Sequence, residues 1–409
     1  MQAIKKIASN TIYQTIGKVA TMGTTVLVTM LVTRHFGVFG FGRLAIILTF
    51  PSLFYIVADF GMNAIAAGNI AKNPKETPTI FNNLLTLRLL FTLGLVVFGA
   101  LVLQFFPYDT TLKLAALAAL PSVMLFGIYT STNAVYQANL SYSRSMIAPL
   151  GRSVAVLGGV LVLLSWGVAV EWLVTAYVLG DVAMGGLALV LVKKFVEKIK
   201  LVGDKKMYQY ILVSAFPLGM AAITNPIIGK ADTLLLSVLK DEAAVGFYSL
   251  AYKVFEVCLV VPVFLVNAAY PYMVKHFKQS QKRLALTSLK IGMVLFGAGI
   301  IALLVVWYLA PFTVRVLGGE GFESSIMALR YLSLAFPVFF VTNILLWYLI
   351  TLGRRRAIPV IYWLAVVINI GANLVVIPRW SFLGAAVVNG LTEVFVLVGL
   401  VLVILSKHE

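Results

Sequence analysis

Seven basic residues fall inside long apolar runs of this chain: Lys18, Arg88, Arg152, Lys230, Lys253, Lys290 and Arg330. A Lys or Arg turned towards lipid at mid-helix costs roughly 2.5–3.5 kcal/mol, so these groups are expected to face protein or water. The acids in the same runs are Asp59, Asp181, Asp232, Glu256 and Glu393. Complete pairing would still leave positive charge over. Cationic side chains held in a hydrated, low-dielectric passage suit one kind of chemistry, charge-assisted binding of an anion such as a phosphate or pyrophosphate. Arg88 and Lys253 rank first as substrate contacts, followed by Lys18, Arg152, Lys230 and Arg330. Asp59, Asp232 and Glu256 are candidate coupling-ion positions, with a proton or sodium gradient as the drive.

Structural readings stand beside these. Lys290 lies about one turn inside its run and is expected to snorkel to the headgroups. Lys253 and Glu256 stand three apart on one helical face and are placed to pair locally. Lys230 and Asp232, two apart, point to different sides and are not expected to pair with each other. Gln137 and the asparagines at 63, 82, 83, 133, 139, 225, 267, 343, 369, 373 and 389 could line a sugar path or bond between helices. Phe36, Phe39, Phe41, Trp166, Trp172, Tyr248 and Trp380 read as anchors at the membrane interface.

The elements that must position these groups follow from composition. Of 409 residues 61% are hydrophobic and 11% charged, against about 25% charged in soluble domains, and the mean hydropathy is +0.99. The apolar runs reach the roughly 20 residues a helix needs to cross about 30 Å of hydrocarbon. The chain reads as an all-α integral membrane protein with no cofactor. Twelve transmembrane helices are expected at about 11–33, 44–70, 80–105, 112–138, 146–165, 171–192, 208–238, 244–270, 285–309, 324–350, 358–377 and 382–406. They divide into an N-terminal lobe (1–192), a basic linker (193–207) and a C-terminal lobe (208–409).

Counting Lys and Arg in alternate loops gives nineteen against six, which by the positive-inside rule puts both termini in the cytoplasm. The net charge of +17 is spread over short breaks and spans, with no basic soluble domain that would bind nucleic acid. Three histidines and one cysteine, Cys258, leave no metal-spaced cluster, and no nucleotide-binding loop or nucleophile elbow is present. No enzyme chemistry is expected.

Gly40-Phe41-Gly42-Arg43-Leu44-Ala45 after the first helix is echoed by Gly246-Phe247-Tyr248-Ser249-Leu250-Ala251 after the seventh. Such an echo fits two pseudo-symmetric six-helix lobes about an axis along the membrane normal, with a central cationic cleft. Pro217 and Pro226 bracket Asn225 in the seventh helix, which marks it as a candidate bent, gating helix.

The segments Ala215-Phe216-Pro217-Leu218, Lys230-Ala231-Asp232-Thr233-Leu234-Leu235-Leu236-Ser237 and Ala244 to Tyr252 resemble the seventh and eighth helices of Wzx-type polysaccharide flippases. These belong to the multidrug/oligosaccharidyl-lipid/polysaccharide (MOP) exporter superfamily. The similarity extends to Asp59-Phe60-Gly61-Met62-Asn63, Arg88, Asn369 to Pro378 and Leu383-Gly384-Ala385-Ala386. The resemblance implies a MATE-like fold and alternating access. The implied substrate is an undecaprenyl-pyrophosphate-linked oligosaccharide, for O-antigen or a related polymer, moved to the periplasmic leaflet of the bacterial inner membrane. Membrane lipids, a polysaccharide polymerase and a chain-length regulator are the implied partners. Competing readings are an exporter of another small anionic or drug-like substrate and a non-transport scaffold of polysaccharide assembly.

Overall fold

The computed structural model describes residues 2–354 and 357–406, and those residues form helices and short connections with no strand among them. In chain order the helices are α1 (Gln2–Asp59), α2 (Met62–Lys72), α3 (Thr77–Gln104), α4 (Thr110–Ala119), α5 (Ser122–Ala138), α6 (Tyr142–Ser165) and α7 (Leu173–Val192). They continue as α8 (Lys205–Ala222), α9 (Thr224–Leu239), α10 (Glu242–Cys258), α11 (Val260–Gln279), α12 (Gln281–Gly318), α13 (Ser324–Ser333), α14 (Phe336–Thr351) and α15 (Ala357–Leu405). Among the described residues nine helical stretches are long and apolar enough to cross a membrane. The protein is an all-α, multi-pass membrane protein.

Two of those stretches are too long for one crossing. The 58 residues of α1 and 49 of α15 extend about 85 and 75 Å at 1.5 Å per residue, more than twice the hydrocarbon thickness. Each is interrupted by a residue with non-helical backbone, Gly37 (φ 63°, ψ −164°) in α1 and Ser381 (φ 51°, ψ −139°) in α15. Gly37 separates the spans expected at 11–33 and 44–70, and Ser381 those at 358–377 and 382–406. Side-chain caps start several helices: Asp109 accepts from the Leu112 N–H at 2.8 Å, Asp241 from Ala244 at 2.8 Å and Ser280 from Arg283 at 3.1 Å.

Contacts divide the chain into two units. The first comprises residues 1–35 and 43–223, the second residues 36–42 and 224–409. In unit 1 a core of Met62, Phe81, Leu84, Tyr136, Ile211 and Ala215 joins α2, α3, α5 and α8. Thus α8, which the sequence assigns to the C-terminal lobe, packs in unit 1. The chain then breaks at Ile223, where unit 1 ends. The seventh span is therefore two helices, α8 and α9, with the break between Pro217 and Pro226. The side chains of Pro217, Asn225, Pro226 and Asn267 lie outside the described residues, as do Arg355, Arg356 and Lys407.

A second interruption shapes unit 1. Between α1 and α2, Phe60 and Gly61 take φ of 39° and 75°. A Cβ on Gly61 would come within 2.8 Å of Leu218 Cβ and 3.0 Å of the Gly219 nitrogen. Glycine is required there twice over, for the left-handed backbone and for the close approach to α8.

In unit 2 a core of Leu349, Ile361, Ala365, Val396 and Leu400 ties α14 to both halves of α15. Residues 36–42 pack here on the echoed segment: a Cβ on Gly246 would fall 2.3 Å from the Val38 carbonyl oxygen, and one on Gly42 would collide with the Glu242 carbonyl.

Candidate functional site

The break at Phe60–Gly61 ends α1 at Asp59 and leaves its last carbonyls without helical partners. Arg88 on α3 fills that position. Its Nη2 donates to the Asp59 carboxylate at 3.0 Å and to the Asp59 carbonyl at 3.4 Å. Its Nη1 donates to Asn63, Thr130 and Ser131 at 3.0, 2.9 and 3.3 Å. The residue is wholly buried. The guanidinium is thus spent within unit 1, joining α1, α2, α3 and α5. Arg152 on α6 is likewise engaged, its Nε donating at 2.5 Å to Asp181 on α7, whose side chain is buried. Lys18 lies on an exposed position of α1.

Unit 2 is built differently. Asp232 on α9 is fully buried, and its partners among the described residues are neutral donors. The Tyr248 hydroxyl donates to Oδ2 at 2.6 Å, Asn389 Nδ2 to Oδ2 at 3.0 Å and Asn373 Nδ2 to Oδ1 at 2.8 Å. Asn373 also donates to Asn369 at 3.2 Å, and Asn369 to Thr392 at 3.1 Å. The chain of polar groups therefore runs from α9 through both halves of α15. Two buried amide oxygens in it, Asn373 Oδ1 and Asn389 Oδ1, have no hydrogen-bond partner among the described residues. A carboxylate with amide oxygens beside it is a donor set that fits a hard monovalent cation or a proton.

One turn away the same two helices carry a second cluster. Lys230 on α9 approaches Glu256 on α10 at 3.9 Å, and Lys253 stands on α10 three residues before Glu256, on the same helical face. Two cations against one acid leave a local positive excess. Gly229 makes room for it: a Cβ there would stand 2.4 Å from the Tyr252 hydroxyl. The Tyr252 ring, close to Gly229 beside Lys230, in turn stacks at 5.6 Å on Tyr248, which donates to Asp232. Arg330 on α13 is set apart, donating to the Trp307 carbonyl at 3.2 Å and lying 5.4 Å over the Trp307 ring.

Residues 7–277 match the family described as "Polysaccharide biosynthesis protein". The chain belongs to that family. Its fold is also that of solved MOP-type transporters. It superposes on "Lipid II flippase MurJ, inward closed conformation" with a TM-score of 0.74 at 13% identity, covering 96% of this chain and 87% of that one. The inward-facing conformation of a multidrug resistance MATE family transporter of the MOP superfamily gives 0.76 at 14% identity, with 94% and 93% covered. A MOP superfamily transporter from Pyrococcus furiosus gives 0.62 at 14% identity, with 97% and 93% covered. A search of curated proteins by sequence finds no match. The match to the polysaccharide biosynthesis family and the MOP-type fold agree with the resemblance to Wzx-type flippases.

Within this member of the polysaccharide biosynthesis family the structure separates the expected site residues. Lys230, Lys253, Glu256 and Asp232 come together in unit 2, whereas Arg88, Asp59 and Arg152 sit in ion pairs of unit 1. Glu256 pairs with Lys230 from α9, and the local pair expected with Lys253 is not among the ion pairs of the described residues. Two residues expected as interface anchors are not: Tyr248 is buried on Asp232, and Phe41 is buried 6.1 Å from the Phe322 ring. Trp166, Trp172 and Trp380 are exposed, as an anchor requires.

One cluster was not foreseen. Arg43 donates to Asp109 at 2.7 and 3.1 Å, to Glu171 at 2.7 Å and to Thr111 at 2.9 Å. It clasps the end of unit 1 where α4 begins. These partners are 66 and 128 residues away in sequence, and no local signal announces them. The arginine holds the Asp109 carboxyl well below the usual carboxylate range.

Proposed function

We propose that the protein is a flippase that moves an undecaprenyl-pyrophosphate-linked oligosaccharide, an O-antigen or related repeat unit. Movement runs from the cytoplasmic to the periplasmic leaflet of the bacterial inner membrane by alternating access. Counting each side of Gly37 and Ser381 and adding α8–α9 supports twelve crossings with both termini on one side, which the excess of Lys and Arg in alternate loops would make the cytoplasm. Membership of the polysaccharide biosynthesis family on a MOP-type fold supports this reading. The observation that carries the choice of an anionic passenger is the excess of cations at Lys230, Lys253 and Glu256. An ammonium pair is suited to the compact charge of a pyrophosphate.

The same geometry supports ion coupling. Asp232 lies two residues from Lys230 on α9, and Tyr248 and Tyr252 stand between the clusters. A change in the proton or sodium occupancy of Asp232 alters what Tyr248 donates to, and the stacked Tyr252 reports that change at the anion cluster. Asp232, Asn373 and Asn389 would hold the ion, which supplies the driving gradient. A polysaccharide polymerase with its chain-length regulator would consume the flipped unit.

Reconstitution into liposomes with a fluorescent polyprenyl-pyrophosphate oligosaccharide tests the proposal. Protection of the fluorophore from a membrane-impermeant quencher should change with protein present, and Lys230→Gln with Lys253→Gln should abolish the change. Translocation that is absent for the intact protein, or unaltered in the double variant, would refute the assignment.

A further inference from the structure

Between α7 and α8 the chain leaves the spans for twelve residues, 193–204. Lys193, Lys194, Lys198 and Lys200 are exposed along it, with Glu197 between them and Asp204 at its end capping α8. A stretch of this charge and length would be expected to wander in water. Here it is tied down. Asn82 on α3 brackets it, donating to the Lys198 carbonyl at 3.2 Å and accepting from the Lys200 N–H at 3.1 Å. One turn along α3, Thr86 Oγ1 accepts from the Val202 N–H at 3.0 Å, and the Tyr208 hydroxyl donates to the Val202 carbonyl. Val196 is fully buried, and the Phe195 ring sits edge-on to Tyr136 at 6.0 Å with the Arg144 guanidinium 5.6 Å over it.

The result is a strap with an apolar side seated on unit 1 and a row of lysines on the other. We infer that this strap is a docking surface for the anionic phospholipid headgroups of the leaflet it borders. Its ends continue directly into α7 and α8, so its backbone lies at the level where spans meet headgroups, and basic residues just outside spans are drawn to anionic lipid. The bonds from Asn82 and Thr86 fix the backbone before any lipid arrives, which lowers the ordering cost of binding. The lysines are spread along an extended chain. They do not converge on one point, and compact ammonium groups so arranged match a field of separate phosphates better than one chelated pyrophosphate.

The test uses the full-length protein purified in micelles doped with phosphatidylglycerol or phosphatidylcholine, with retained lipid counted by native mass spectrometry. The intact protein should retain phosphatidylglycerol in preference. Replacing Lys193, Lys194, Lys198 and Lys200 together by Gln should lower that retention about tenfold or more. All four are exposed, so the fold should persist. Thr86→Val keeps every charge and loosens the strap, and it should lower retention by about two- to threefold. Lys282→Gln with Arg283→Gln, exposed cations at the start of α12 outside the strap, should lower it far less, by about twofold at most. Equal retention of the two lipids, no loss in the fourfold variant, an equal loss in the α12 variant, or full retention in Thr86→Val would each overturn the inference.

Discussion

The two units handle buried charge in opposite ways. In unit 1 the in-span acids Asp59 and Asp181 each meet an arginine, at 3.0 and 2.5 Å. In unit 2 the buried acid Asp232 meets a hydroxyl and two amides, those of Tyr248, Asn373 and Asn389. An arginine is always charged, so a carboxylate held by one is fixed as an anion, and protonating it would strand the guanidinium. A carboxylate held by neutral donors strands no cation when its proton or ion comes and goes. Unit 1 uses its pairs to hold broken helices together, and unit 2 keeps an acid whose state can change. That difference favours unit 2 as the seat of ion coupling.

The largest effect should come from breaking a pair in unit 1. Arg88→Ala should destabilise the purified protein by about 3 kcal/mol, because it opens a cavity and leaves Asp59 uncompensated. Thermal unfolding measures this, and adding Asp59→Asn should recover part of the loss. A wild-type melting point in the single variant would erase the distinction between the units.

Asp232→Asn should do the reverse, sparing the fold and striking function. Stability should stay within about 1 kcal/mol because no cation is orphaned. Translocation driven by an imposed proton or sodium gradient should fall at least about tenfold, equivalent to roughly 1.4 kcal/mol. Gradient-dependent transport persisting in this variant would remove unit 2 from coupling.

Tyr248→Phe sharpens the same point. It deletes one donor to Asp232 and should cost about 1 kcal/mol if that carboxyl is neutral, and about 2 kcal/mol if it is ionised. Unfolding curves of this variant with and without sodium distinguish the two states of the site.

The smallest effect concerns the Arg43 clasp. The folded pKa of Asp109 is depressed, so its stabilising contribution is complete above the ordinary aspartate range near about 3.9 and is lost only as pH falls well below it. Asp109→Asn should therefore lower the melting temperature slightly and equally between pH 5 and 8. A difference between the two proteins that vanishes within that window would contradict the clasp.

Much of the fold was legible because lipid is a demanding solvent. Runs such as 80–105 and 171–192 had to be spanning helices once they were long and apolar, and α3 and α7 lie there. The positions of Gly37 and Ser381 agree with the punctuation that separated neighbouring spans. The break at Ile223 was foreshadowed by the two prolines around it, but the packing of α8 in unit 1 was not, since hydrophobicity says where a helix lies and not which neighbour it touches. The site was legible in kind only. Lys230, Lys253, Asp232 and Glu256 could be named as charges inside the spans, whereas Asn369, Asn373 and Asn389 were lost among a dozen similar residues, and Tyr248 looked like an interface aromatic.

The sequence by itself determined that the chain lives in a membrane, that its basic residues outnumber its acids inside the spans, and which residues carry the family's pattern. These follow from composition and period, because the cost of a polar group in hydrocarbon depends on the group and its depth. Which charge meets which was decided by tertiary structure alone. Arg88 finds Asp59 across 29 residues and Asn389 finds Asp232 across 157, and contacts of a few ångströms between distant helices are set by packing and leave no mark on the local pattern.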